Sequence, residues 1–63
     1  MAPRAELSSM ASTLEEMTRR ITALADEADR AQDNELSTEL FGIERALAGA
    51  LRRLERCVDA RRP

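Results

Sequence analysis

Leu7-Ser8-Ser9-Met10-Ala11-Ser12-Thr13-Leu14-Glu15-Glu16-Met17-Thr18-Arg19-Arg20-Ile21-Thr22-Ala23-Leu24-Ala25-Asp26-Glu27-Ala28 is the stretch that decides the fold. Its larger apolar residues, continued by Ala28 and Ala31, recur at gaps of 3, 4, 3, 4, 3, 4 and 3. That is an unbroken heptad seam, with Leu7, Leu14, Ile21 and Ala28 at a and Met10, Met17, Leu24 and Ala31 at d. A second series, Leu36, Leu40, Ile43, Leu47, Ala50, Leu54 and Cys57, runs at gaps of 4, 3, 4, 3, 4 and 3. The two-residue alternation of a strand is absent from both.

Between the two series lies Gln32-Asp33-Asn34-Glu35, a cluster of turn-forming polar residues. Asn34 is suited to the left-handed conformation that ends a helix, and Asp33 or Asn34 to capping the next one. A continuous helix is the alternative, since neither Pro nor Gly marks the break. Pairing positions whose numbers sum to 64 gives Leu7–Cys57, Met10–Leu54, Leu14–Ala50, Met17–Leu47, Ile21–Ile43, Leu24–Leu40 and Ala28–Leu36. The midpoint of this antiparallel register is position 32, inside the turn cluster. The expected fold is therefore all-α: an antiparallel, coiled-coil-like two-helix hairpin forming one domain over residues 1–63. Helix 1 is expected over about 6–32, the turn over 32–35 and helix 2 over about 35–61. The start is open between Pro3 or Glu6 and a second start at Ser12, where Ser12–Glu15 and Thr13–Glu16 have capping-box spacing.

Charge placement fits helices. Glu15–Arg19, Glu16–Arg20 and Asp26–Arg30 are acid-before-base pairs four apart. Glu35 and Glu39 open helix 2, while Arg52, Arg53, Arg56, Arg61 and Arg62 close it, as the helix dipole favours. Arg20 and Glu44 are expected at facing flank positions.

Length limits what these helices can do alone. Of 63 residues, 43% are hydrophobic, but eleven of those are Ala. A core this small supplies no more than ~3–5 kcal/mol, and mini-proteins usually add disulfides, a metal or a partner subunit. A single Cys excludes an internal disulfide, and the lack of His leaves Cys57 without the usual companion at a zinc site. Leu51 and Val58 lie beside the helix 2 seam and widen its apolar stripe, as a helix packing on two neighbours requires. The expectation is a homodimer in which two hairpins close into a four-helix bundle. Its seam takes in Leu7, Met10, Leu14, Met17, Ile21 and Leu24 from helix 1. Helix 2 adds Leu36, Leu40, Ile43, Leu47, Leu51, Leu54 and Val58.

Enzymatic chemistry finds no foothold. No His is present to serve as base, and Cys57 falls in the seam, where free Cys is ordinarily a small core residue. Ferritin-like bundles use Glu-x-x-His pairs. Helical nucleotide pyrophosphatases carry Glu-Glu-x-x-Glu, and here Glu15-Glu16-Met17-Thr18 is followed by Arg19. No catalytic residue, cofactor or metal ligand is assigned. The longest apolar run, Ala46 to Leu51, is far shorter than the ~20 residues of a membrane span. Residues 1–6 show no secretory pattern, and an unpaired Cys fits a reducing compartment, so a cytoplasmic location is expected.

The expected function is a non-catalytic protein–protein interaction or regulatory module, a homo-oligomeric hairpin acting as adaptor or scaffold. Candidate partner contacts are Phe41, the one aromatic residue, with Ala48, and the Arg52–Arg53–Arg56 surface. Phe41 sits roughly 140° from Leu36 around the helix, off the seam. The alternative is a small nucleic-acid-associated regulator using the C-terminal arginines. A net charge of −2 and the absence of aromatic base platforms weigh against it. Gly42 and Gly49, seven apart, mark either close backbone approach or exposed positions under no constraint.

Overall fold

A computed structural model describes residues 3–60. Two helices, α1 (Pro3–Arg30) and α2 (Asn34–Ala60), pack antiparallel as a hairpin. Arg61 and Arg62, expected to close the second helix, lie outside the described residues. α1 starts at Pro3, whose missing N–H costs nothing in a first turn. It runs unbroken through Ser12-Thr13, so neither capping-box spacing is used as a start. Instead Thr13 Oγ1 donates to the Ser9 carbonyl at 3.2 Å, Thr18 to Leu14 at 2.8 Å and Thr22 to Thr18 at 3.1 Å. With their hydroxyls satisfied four residues back, Thr18 and Thr22 can stand half-buried beside α2 without an unpaired polar group.

The turn is tighter than the four polar residues suggest. Gln32, not Asn34, takes the left-handed conformation, at φ 62°. The Gln32 N–H donates to the Asp29 carbonyl at 3.0 Å and the Asp33 N–H to the Ala28 carbonyl at 2.9 Å. This pair of bonds is the Schellman motif, which satisfies the last carbonyls of a helix. Asp33 then opens α2. Its carbonyl accepts from the Ser37 N–H at 2.9 Å, and its Oδ1 accepts from the Leu36 N–H at 3.2 Å. One residue thus finishes α1 and caps α2.

Burial is most complete next to this turn. The buried residues are Ala25, Ala28 and Ser37, all small; Ser37 Oγ donates to the Asn34 carbonyl at 3.2 Å. Among the described residues no large side chain is fully buried. The hairpin is a rod of 48 × 14 × 12 Å. Its 4875 Å² of accessible surface exceeds the ~4,000 Å² expected of a compact chain of this mass.

The helices meet on a different line from the heptad pairing. The inward rows of α1 are Leu7, Leu14, Ile21 and Ala28 together with Ala11, Thr18 and Ala25. In α2 the row Ser37, Glu44, Leu51 and Val58 faces inward, flanked by Leu40, Leu47 and Leu54 on one side and Phe41 and Ala48 on the other. Met10, Met17, Leu24, Leu36 and Ile43, expected inside the hairpin seam, are instead exposed. The reason is size: Ala11, Thr18 and Ala25 let the second helix lie closer than the Met–Met–Leu row would, so contact is centred beside the seam rather than on it. Glu44 is half-buried in the inward row, yet no ion pair joins it to Arg20.

The turn can be tested directly. Gln32→Gly should raise unfolding stability by about 0.5–1 kcal/mol, because the left-handed residue loses its Cβ strain. Asp33→Ala should lower it by ~1 kcal/mol through the lost cap. Urea titrations followed by helical circular dichroism measure both; equal stabilities for Gln32→Gly and the parent would disprove the turn geometry.

Candidate functional site

The two exposed apolar rows share one side of the hairpin. Met10, Leu14, Met17 and Leu54 line one shallow groove, and Leu24, Ala28, Leu36 and Leu40 line another nearer the turn. Leu14 and Leu54 also border a third groove that continues over Ala50 and Cys57 and is edged by Arg52, Arg53 and Arg56. On this face Met10 is 54% exposed, Leu24 51%, Met17 48%, Leu36 47% and Ile43 44%. Leu7, Ile21 and Leu47, with Leu14, Leu40 and Leu54, are half-buried, in the rows that carry the apolar side of the interhelical contact. The opposite side is polar: Ser8, Ser12, Glu15, Glu55 and Asp59 line its groove, with Ala11 and Val58.

Most of the expected oligomer seam is therefore brought onto one face. Leu51 and Val58 are not; they belong to the inward row with Ser37, and Val58 borders the polar groove. Phe41 and Ala48 are half-buried on the side of α2 away from the apolar face, so Phe41 packs at the edge of the interhelical contact rather than projecting from it. Cys57 is a free, exposed thiol beside Ala50 and Leu54.

The outer side of α2 carries charge. Arg45, Arg52, Arg53 and Arg56 are exposed and make no ion pair among the described residues. The nearest side-chain atom to a Cβ built on Gly49 is Arg52 Nη2 at 3.8 Å, and for Gly42 it is Arg45 Nη2 at 3.9 Å. Each guanidinium thus lies back along the helix over the glycine three residues earlier. Sequence spacing showed the seven-residue Gly repeat but not this Gly-x-x-Arg arrangement, whose signal is the Arg at the same offset from each Gly. No neighbouring backbone presses on either glycine.

On α1 the ion pairs are fewer than the spacing predicts. Arg19 bonds Glu16 at 2.6 Å and reaches Glu15 at 3.8 Å, while Glu16–Arg20 and Asp26–Arg30 do not pair. The hydrogen bond to Glu16, aided by its negative charge, raises the Arg19 pKa above the ordinary guanidinium value. Both partners are exposed, which makes the cluster a solvated helix face. Among the described residues no three His, Cys, Asp or Glu side chains converge as metal ligands, and no helix is long and apolar enough to cross a membrane. Comparison with protein-family models, curated proteins and solved structures finds no match to this chain.

The glycines give a clean test. A methyl group at Gly42 or Gly49 meets ordinary van der Waals distances, so Gly42→Ala and Gly49→Ala should each stabilise α2 by ~1 kcal/mol. A loss of stability in either variant, measured by thermal denaturation, would show that something packs against that glycine.

Proposed function

We propose that the chain is a non-catalytic interaction module that works as a homodimer, two hairpins closing their apolar faces into a four-helix bundle. The observation that carries this reading is the two-sidedness of the hairpin. Five large apolar side chains stand about half exposed on one side, and among the described residues no large side chain is fully buried. Covering a Leu or Met side chain completely is worth about 1.5–3 kcal/mol. One long side of the rod measures roughly 700 Å² from its extents, close to the ~800 Å² per partner of a standard interface.

In this bundle the side of α2 bearing Arg45, Arg52 and Arg56 stays outside, with Phe41 and Ala48 near its inner edge. That side would present guanidinium groups, free of acid partners, to an acidic surface on a protein that the module scaffolds or regulates. A second reading, a small nucleic-acid-associated regulator, draws on the same unpaired arginines. Salt-dependent retention of RNA or DNA that Arg52→Glu with Arg56→Glu abolishes would select it.

Sedimentation equilibrium tests the dimer. The expected result at micromolar concentration is a species of twice the 7.0 kDa chain mass, reduced to one chain mass by Ile43→Glu with partial loss of helicity. A parent protein that sediments as a fully helical monomer would refute the bundle.

A further inference from the structure

The structure assigns the two hairpins a direction: they run antiparallel, with turns at opposite ends, so that α1 packs on the partner's α1 and α2 on the partner's α2. This rests on the homodimer proposed above and specifies its geometry. The exposed α2 row reads Leu36, Ile43, Ala50, Cys57, two large residues toward the turn and two small ones toward the open end. A two-fold axis across α2 between positions 46 and 47 sets Leu36 against Cys57 of the second copy and Ile43 against its Ala50. Along α2 each large side chain then meets a small one, which is how close-packed layers interdigitate.

The α1 row obeys the same axis. Met10 and Leu24 are symmetric about Met17, so the axis crosses α1 at position 17. Within the hairpin, Met10 shares a groove with Leu54, and Leu24 and Ala28 share one with Leu40 and Leu36. These shared grooves are compatible with the antiparallel register in which paired positions sum to 64, and that register sets position 17 level with position 47. One axis therefore serves both helices.

Charge agrees. At the rim of the apolar face on α2 lie Glu39, Ala46 and Arg53, seven apart and all exposed. The axis brings Glu39 opposite the second copy's Arg53 twice over, with Ala46 near the axis leaving room for close approach. On the α1 rim, Arg20 faces Thr13, and Glu6 faces Glu27, each twice over; the like pairs fall one at each end of the bundle, where water screens them. With the turns at the same end, α1 would lie on the partner's α2. Glu27 would then approach Glu39 at two places, Leu24 would crowd Leu36 and Ile43, and Met10 would meet only Ala50 and Cys57.

Disulfide trapping decides between the directions. In Leu36→Cys, the new thiol and Cys57 are about 30 Å apart along one helix and cannot bridge within a chain. Oxidation should give a covalent dimer on a non-reducing gel within minutes, while the parent protein, whose two Cys57 thiols sit about 30 Å apart in this arrangement, stays unlinked. Met17→Cys in a Cys57→Ser background should link to itself at the axis. Glu39→Arg and Arg53→Glu should each raise the dimer dissociation constant about tenfold, and the double swap should return it to within about threefold of the parent. A protein that sediments as a dimer but links through neither new cysteine overturns the direction and leaves the homodimer standing. A monomer by sedimentation removes both.

Discussion

Two helices touch along a line, and a side chain on that line is covered from two sides only. Every other property of this hairpin follows from that constraint. Alanine and serine can disappear between the helices, as Ala25, Ala28 and Ser37 do. Leucine and methionine cannot, whichever way the helices turn. The chain buries small residues between the helices and leaves Met10, Met17, Leu24, Leu36 and Ile43 outside the contact. The result is a rod with closely approaching backbones and an apolar side that the rod itself has no means to cover.

Closeness and exposure are two outcomes of one choice. Had the Met10–Met17–Leu24 row faced α2, its larger side chains would have held the helices farther apart. Centring the contact on Ala11, Thr18 and Ala25 draws the helices together and turns that row outward. The threonines fit this role because Thr18 and Thr22 return their hydroxyl protons to their own helix. The polar side, with Ser8, Ser12 and Glu15, is left to water.

The heptad spacing carried the hairpin and the place of its turn. It did not reveal which rows face inward, because the a row and its neighbours on both sides are apolar or small, and a 3.5-residue repeat cannot rank adjacent stripes that are all admissible. The left-handed residue was also hidden. Asn34 has the better intrinsic aptitude, yet Gln32 adopts the conformation, since the Schellman bonds fix the reversal one residue before the cap. Of the candidate site, the apolar residues were legible as a set, with Leu51 and Val58 grouped there on wheel position alone. The guanidiniums lying over Gly42 and Gly49 were not, because that contact depends on side-chain conformation rather than on spacing.

Asp33 ends one helix and begins the other, which makes the connection a setting of rotational phase. Each residue added at the start of α2 would turn that helix by about 100° about its own axis. Leu36 and Ile43 would swing off the side they share with Met17, and Glu35, Gly42, Gly49 and Arg56 would take the row; removing one residue would put Ser37 and Glu44 there instead. Lengthening the hairpin here is thus not the benign change that surface loops ordinarily tolerate. A deletion or insertion of one residue at this point would leave both helices intact and erase the face on which they agree.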